Sequence, residues 1–209
     1  MAPLLNLSRL IDRLNEQVAR WVSWLVLAAV LISALNASAR KAFSLTSNGL
    51  LEVQWYLFAA VFLLASGYTL LRQEHVKIDV LLGRFTRRTQ VKVEIFGFTA
   101  FLLPFVVTVI VLVWPLVIRA YISGEMSPNA GGLIRWPVFA LVPLGFGLLG
   151  LQALSELIKR FAFLQGLVPD PGKKQQAKTP EEELAEAIRQ RAEAAATSTT
   201  AGSTPGVTR

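Results

Sequence analysis

The fold class of this chain is decided by residues 95–118, which read IFGFTAFLLPFVVTVIVLVWPLVI and contain no charged side chain. An apolar run of this length is typical of a transmembrane helix, because about 20 residues at a rise of about 1.5 Å are needed to cross the hydrocarbon core. Pro104 and Pro115 lie inside the run, and membrane helices tolerate proline because neighbouring groups satisfy the freed carbonyls. The run therefore predicts a membrane-spanning helix with bends at its prolines.

Three further apolar segments of similar length lie along the chain, at residues 21–39, 50–71 and 133–158. The predicted fold class is therefore an all-α integral membrane protein with four transmembrane helices. The composition agrees, since 53% of the 209 residues are hydrophobic and 17% are charged, whereas soluble domains carry about 25% charged residues. The first segment could also be read as a signal peptide that ends at Ala37-Ser38-Ala39. A retained helix is favoured, because its apolar core exceeds the roughly 7 to 15 residues of signal peptides.

The chain contains no cysteine and one histidine, which excludes several chemistries. Disulfides, thiolate nucleophiles, cysteine-ligated zinc or iron–sulfur sites and bis-histidine haem all need residues that are missing. The sequence also lacks a nucleotide-binding glycine loop and paired metal-binding histidines. We therefore expect no cofactor, no metal site and no enzymatic activity. The net charge of +7 is interpreted as the basic flanks of membrane helices rather than as a nucleic-acid interface.

Lysine and arginine are distributed unequally between the two sides of the predicted bundle. The N-terminal segment, the second-to-third connection and the end of the fourth helix carry Arg9, Arg13, Arg20, Arg72, Lys77, Arg84, Arg87, Arg88, Lys92, Lys159 and Arg160. The other two connections carry only Arg40, Lys41, Arg119 and Arg135. Because cytoplasmic loops are enriched in lysine and arginine, the more basic side is predicted to be cytoplasmic. An even number of helices then places both termini there.

Segments outside the spans have their own patterns. In residues 1–20 the apolar side chains recur at helical spacing, at Leu7, Leu10, Ile11, Leu14 and Val18, which predicts an amphipathic helix on the membrane surface or on a partner. A simple extension of the first transmembrane helix is the alternative. The transmembrane domain is predicted at residues 21–165. Residues 166–209 read as a linker and a largely disordered cytoplasmic tail, in which residues 181–196 can form a solvated helix.

Ionisable side chains are nearly absent from the centres of the predicted spans, and Glu52 at the start of the second span is the most notable one. A structural cap or an inter-helix hydrogen bond is favoured for it over ion coupling. His75 is interpreted as a charge-paired interfacial residue rather than a proton shuttle. The outer connection, residues 123–137, is rich in turn-forming residues and predicts an ordered reversal or a contact with an external protein. Close helix packing is the expected role of Gly145, Gly147 and Gly150.

Two stretches carry a resemblance to a known family. Residues 67–80 read GYTLLRQEHVKIDV, and residues 127–137 read SPNAGGLIRWP. With Glu52 opening the second span, they resemble the small membrane subunit, of the DctQ type, of tripartite ATP-independent periplasmic (TRAP) transporters. The resemblance covers roughly residues 10–165 and excludes the Ala- and Glu-rich tail. It implies two polar clusters, one cytoplasmic and one outer, formed by Arg72, His75 and Asp79 and by Gly131, Gly132, Arg135, Trp136 and Pro137.

The resemblance also implies a division of labour among partners. A periplasmic solute-binding protein captures an organic acid, a large membrane subunit moves it with sodium, and the small subunit scaffolds the large one in the bacterial inner membrane. A chain with few intramembrane charges fits that role, since carriers place ionisable residues along their substrate path. The main alternative is an independent small channel or transporter that uses Glu52. A membrane enzyme or electron carrier is disfavoured by the missing cysteine and second histidine.

Overall fold

A computed structural model describes residues 2–43, 48–72, 85–129 and 131–168. These residues form four helices, which we label α1 (Ala2–Phe43), α2 (Asn48–Arg72), α3 (Arg87–Ser123) and α4 (Trp136–Leu164). Each helix is long and apolar enough to cross a membrane. The described part of the chain contains no β-strand, only an isolated bridge between Met126 and Ile134. The predicted all-helical class with four helices of membrane-spanning length is confirmed.

Helix α1 is a single helix of 42 residues, about twice the length that crosses a hydrocarbon core. It therefore includes both the predicted amphipathic segment and the first predicted span without a break. Its buried positions recur at seven-residue intervals, at Ser8, Asn15, Val22, Ala29 and Asn36. A seven-residue repeat keeps one narrow seam of a helix against its neighbours over a long distance.

The N-terminal part of α1 turns its polar side toward the other helices. Ser8 and Asn15 are buried, whereas Leu7, Leu10 and Leu14 are exposed. This orientation is stable because the facing residues on α4 are themselves polar, as described below. The apolar stripe that the sequence predicts is consequently directed away from the protein's own helices, apart from the buried Ile11.

Helix α3 contains a change of helical type next to a proline. It is α-helical over Arg87–Gly97, π-helical over Phe98–Leu102 and α-helical again over Leu103–Ser123. Pro104 has no backbone N–H, and its ring would collide with the carbonyl four residues earlier in a regular α-helix. The wider turn, in which the Leu103 N–H donates to the Phe98 carbonyl, accommodates the ring without ending the helix.

Helix α4 is the central element, because it packs against each of the other three helices. Two glycines of α4 permit neighbouring helices to approach closely, one on each of two sides of α4. A Cβ at Gly145 would lie 2.6 Å from the Leu63 carbonyl oxygen of α2, and a Cβ at Gly150 would lie 3.1 Å from the Val106 side chain of α3. The close packing predicted for Gly147 is not observed, since nothing lies within 4 Å of its Cβ position.

Candidate functional site

The first polar site joins the start of α2 to the loop between α3 and α4. We call it the outer cluster, formed by Glu52, Ser127, Asn129 and Leu133. The Glu52 Oε1 atom accepts hydrogen bonds from the Ser127 hydroxyl and from the Asn129 side-chain amide, the latter at 2.7 Å. The Glu52 Oε2 atom accepts one from the Leu133 backbone N–H at 2.7 Å. Both carboxylate oxygens are therefore engaged in holding the loop.

The loop is shaped to bring these donors together. The Ser127 N–H donates to the Leu133 carbonyl and the Arg135 N–H donates to the Glu125 carbonyl, each at 2.9 Å. Gly131 has a φ of 74°, a left-handed conformation that glycine adopts without steric cost. At Gly132, a Cβ would lie 2.7 Å from the Ser127 carbonyl oxygen. The two glycines thus allow the tight reversal that the turn-rich sequence predicts.

The three residues that follow the loop fix the start of α4. The Arg135 guanidinium lies 2.7 Å from a Glu125 carboxylate oxygen and 5.2 Å from the centre of the Phe139 ring. Trp136 meets Tyr121 of α3 edge to face, with 5.4 Å between ring centroids. Pro137 occupies the first turn of α4, where its missing N–H has no helical partner to lose. The structure therefore brings Glu52 and the five predicted outer residues to one end of the molecule.

Tyr56, which the sequence reasoning did not single out as a site residue, adds a further link at the same end. Its hydroxyl donates to the Ile134 carbonyl at 3.2 Å. Tyr56 lies one helical turn after Glu52 on α2, so both side chains point to the same loop. Below them, an apolar cleft of about 220 Å³ lies between α2 and α4, lined by Val53, Tyr56, Leu57, Leu133, Pro137, Val138 and Leu141.

The second polar site lies at the opposite end of α4 and was not predicted. We call it the inner network, which joins α1, α3 and α4 and consists of Ser8, Asp12, Asn15, Glu94, Gln152, Ser155, Glu156, Lys159 and Arg160. Gln152, Glu156 and Arg160 are among its fully buried members, with at most 2% of their surface exposed. Buried charges of this kind must be paired or hydrogen-bonded, because the loss of hydration costs several kcal/mol per ion.

Charge pairing in the inner network is complete for the buried ions. Arg160 forms ion pairs with Glu156 on its own helix and with Glu94 of α3, the latter at 2.7 Å. The Arg160 guanidinium also lies 4.7 Å from the centre of the Phe98 ring, a cation–π arrangement. Lys159 pairs with Glu156 and with Asp12 of α1, the latter at 3.2 Å.

Further hydrogen bonds extend the inner network along α1. Asp12 accepts from the Ser155 hydroxyl at 2.7 Å and from the Gln152 amide at 2.9 Å. The Asn15 amide donates to the Gln152 side-chain oxygen at 2.9 Å. The Asn15 side-chain oxygen has no hydrogen-bond partner and faces Gly67 of α2, where an added Cβ would collide with it. The network thus holds the polar side of α1 against α4.

A sequence signal for the inner network existed in its spacing. Polar residues recur on α4 at intervals of three and four, at Gln152, Ser155, Glu156, Lys159 and Arg160, and on α1 at Ser8, Asp12 and Asn15. Such spacing places side chains on one helix face. Two polar stripes on two apolar helices indicate that the stripes face each other, because neither is stable against lipid.

The predicted cytoplasmic cluster is described only in part. Arg72 is the last residue of α2 and is exposed. Its Nε donates to the Tyr68 hydroxyl at 2.9 Å, and its guanidinium lies 5.2 Å from the Tyr68 ring centre. His75 and Asp79 lie outside the described residues. Within the described ranges, no group of three or more His, Asp or Glu side chains is arranged to hold a metal ion.

Comparison with protein families gives one finding that bears on this architecture. A model of the DctQ component of tripartite ATP-independent periplasmic transporters matches residues 29–163. That range includes α2, α3, nearly all of α4 and the outer cluster, whereas Ser8, Asp12 and Asn15 of the inner network precede it. Neither the curated proteins nor the solved structures contain a significant match. Since the matched range exceeds half of the sequence, the chain belongs to the DctQ family of small TRAP transporter subunits.

Proposed function

We propose that this chain scaffolds and orients the large, sodium-coupled membrane subunit of a TRAP transporter in the bacterial inner membrane. In this proposal a periplasmic binding protein delivers an organic acid, and the large subunit carries it. The small subunit contributes no transport path of its own. Family membership supplies the general assignment as a small TRAP subunit, and the division of labour within the complex is the proposed part.

One structural observation carries the proposal: in the described helices, the buried ionisable side chains pair with one another instead of facing a path. Glu156 and Arg160 form ion pairs within the inner network. Both Glu52 carboxylate oxygens accept hydrogen bonds from the outer loop. A carrier needs polar groups that a solute can reach within the membrane. Polar groups that only fix helices and loops are what a scaffold requires.

The outer faces of the helices support the same proposal. Among the described helices, α4 is the one against which α3 packs extensively. The remaining surface of α3 exposes large apolar side chains, among them Phe101, Phe105, Val111, Leu112 and Ile122. Such a surface is compatible with lipid and with the apolar helices of another membrane protein. The surface therefore suits lateral association with a larger subunit, and the bilayer itself covers what the partner leaves exposed.

Reconstitution tests this proposal directly. We expect the large subunit to co-purify with this chain, and sodium-dependent uptake into liposomes to require the large subunit and the binding protein. Liposomes that contain this chain alone should show no uptake of organic acids. Uptake by the chain alone would overturn the scaffold assignment and favour the alternative of an independent transporter. In that case Glu52→Gln should abolish uptake, whereas in a scaffold it should leave the large subunit's carrier chemistry intact.

The proposal places both termini in the cytoplasm, on the basis of the lysine and arginine distribution. The absence of cysteine makes a clean test available, since any introduced cysteine is the sole thiol. We expect Ser127→Cys and Ser47→Cys to react with a membrane-impermeant maleimide in intact spheroplasts, and Ser203→Cys to react only after lysis. The opposite pattern would reverse the assignment.

The proposed interface residues form two groups, and the cytoplasmic group can be tested by substitution. At the outer end, Arg135 and Trp136 stand beside the loop held by Glu52 and are proposed to face external partners. At the cytoplasmic end, Arg72, His75 and Asp79 are proposed to contribute to assembly with the large subunit. Alanine at all three cytoplasmic positions should reduce co-purification, with Arg88→Ala as the control for lost positive charge. Unchanged assembly and uptake in the triple variant would refute the cytoplasmic assignment.

A further inference from the structure

A polar cleft lies between α1 and α2. It shares Arg72 with the proposed cytoplasmic cluster, and its other lining residues have no role in the proposed scaffold. Its volume is about 410 Å³, and it is lined by Glu16, Ala19, Arg20, Ser23, Tyr68 and Arg72. The lining comes from two helices that pack side by side. It lies at the end of α2 where Arg72 terminates the helix.

Within the part of the chain that the structure describes, no ion pair neutralises the charges that line the cleft. Arg20 and Glu16 are exposed, and neither takes part in any of the ion pairs of the described residues. The Arg72 side chain contacts Tyr68 through a hydrogen bond and a cation–π arrangement. Two arginines and one glutamate among the described lining residues sum to a charge of +1, which matches a single monoanionic group.

Tyr68 holds the Arg72 guanidinium in a defined position. The Nε–H is used in the hydrogen bond to the Tyr68 hydroxyl, at 2.9 Å. The four terminal N–H donors of the guanidinium take no part in that bond. A planar group with parallel donors is suited to two-point contact with phosphate oxygens. The hydrogen bond reduces the conformational freedom that a ligand would otherwise have to remove.

The position of the cleft along the helices indicates the source of the ligand. Arg20 immediately precedes the apolar part of α1, and the next turn carries Trp21 and Trp24, which are 68% and 64% exposed. Exposed tryptophans beside a basic residue are typical of the membrane–water interface. The cleft therefore opens at the depth where phospholipid phosphates lie, with apolar helix surface next to it for acyl chains.

We propose that this cleft binds the phosphodiester headgroup of an anionic phospholipid, with Arg20 and Arg72 as the phosphate ligands and Tyr68 as a positioning residue. Glu16 limits the affinity for the anion, because its carboxylate lines the same cleft. The proposal is independent of the scaffold function, since it concerns the purified chain and lipid alone.

The test is native mass spectrometry of the purified full-length chain in detergent, titrated with phosphatidylglycerol or with phosphatidylcholine of identical acyl chains. We expect phosphatidylglycerol to bind more tightly. Arg20→Gln and Arg72→Gln should each weaken its binding about fivefold, which corresponds to the contribution of one basic residue at a membrane surface. Tyr68→Phe should weaken it by a smaller factor. Arg88→Gln, which removes an exposed charge from α3 outside the cleft, should change it less than twofold.

Glu16→Gln provides a result that misfolding cannot imitate, because it should strengthen phosphatidylglycerol binding without strengthening phosphatidylcholine binding. Equal binding of the two lipids to the unaltered chain would overturn the proposal. An equal effect of Arg88→Gln and Arg20→Gln would overturn it too, since the attraction would then be diffuse. Competition by free glycerophosphate as effective as that by the intact lipid would show a soluble phosphoester site instead of a lipid site.

Discussion

The two ends of α4 use polar side chains in different ways. At the start of α4, one half-buried carboxylate, Glu52, accepts hydrogen bonds from a short loop. At the other end, buried ions and amides on three helices pair with one another. The outer cluster thus positions a loop on one helix, whereas the inner network positions whole helices relative to each other.

The two ends of α4 are expected to respond differently when one hydrogen-bond or ion-pair partner is removed. Water can reach the outer cluster and replace a lost hydrogen bond, so the damage stays local. In the inner network a lost partner leaves buried charges with fewer counter-charges, and the resulting destabilisation affects the packing of α1, α3 and α4 together. We therefore expect the inner network to control global stability and the outer cluster to control the local order of the loop.

The largest expected effect is that of Arg160→Met. The substitution keeps most of the side-chain volume but leaves Glu156 and Glu94 without their common partner. Breaking a buried ion pair on one side costs about 3–5 kcal/mol where the remaining charge has no other partner. Here Lys159 still pairs with Glu156 and Arg87 lies 3.8 Å from Glu94, so we use the lower end of that range, about 3 kcal/mol. We expect a loss of that size in the free energy of unfolding, measured by denaturant titration in detergent micelles.

The matched control for this substitution is Arg88→Met on α3, which removes the same charge from an exposed position. Its effect should stay within about 0.5 kcal/mol, as for most surface substitutions. If Arg160→Met were as mild as Arg88→Met, the inner network would not hold the helices together and the contrast between the two ends would fail.

The next largest effect concerns the contact between α2 and α4 that lies between the two ends. Gly145→Ala would place a methyl group 2.6 Å from the Leu63 carbonyl oxygen, and backbone atoms cannot move aside as a flexible side chain can. Overpacking of this kind costs about 1–3 kcal/mol. Thermal unfolding in micelles should show the loss.

Gly147→Ala is the control on the same helix, because nothing lies within 4 Å of the added methyl group. Alanine has the higher helix propensity, by about 1 kcal/mol, so this variant should be as stable as the original chain or more so. Equal destabilisation by both substitutions would indicate that α4 does not approach α2 closely at Gly145.

The spans could be predicted from the sequence because hydrophobicity of membrane helices is a local property. Residues 95–118 are apolar without interruption, and no knowledge of neighbours is needed to assign a helix there. The turn of the outer cluster could also be predicted, since glycine, proline and asparagine favour a turn at residues 128–132. The partner of that turn could not be predicted in the same way. The hydrogen bond between Glu52 and the Leu133 N–H depends on how α2 and α4 pack against each other.

The inner network was missed because charges near the ends of predicted spans are ordinarily assigned to water. Arg160, for example, is counted above among the basic flanking residues, whereas the structure buries both Arg160 and Glu156 between helices. The sequence analysis also made no prediction of which face of α1 turns toward the other helices. In a soluble protein the apolar stripe of a helix normally packs against the core. In a membrane the surroundings are apolar, so polar side chains are more stable in the interior of the helix bundle.

The smallest expected global effect is that of Glu52→Ala, and it sharpens the contrast between the ends. The substitution removes the acceptor of the Leu133 N–H and of the Ser127 and Asn129 side chains, so hydrogen exchange should accelerate in residues 127–133. The midpoint of global unfolding should change far less than in Arg160→Met, because water replaces the lost acceptor at this half-exposed site. Glu52→Gln is the informative control: its amide retains one carbonyl oxygen for the Leu133 N–H or the Ser127 hydroxyl, so its loop should exchange at an intermediate rate. A global loss of stability in Glu52→Ala, with exchange accelerated in α1 and α3 as well, would show that the outer cluster supports the helices and not only the loop.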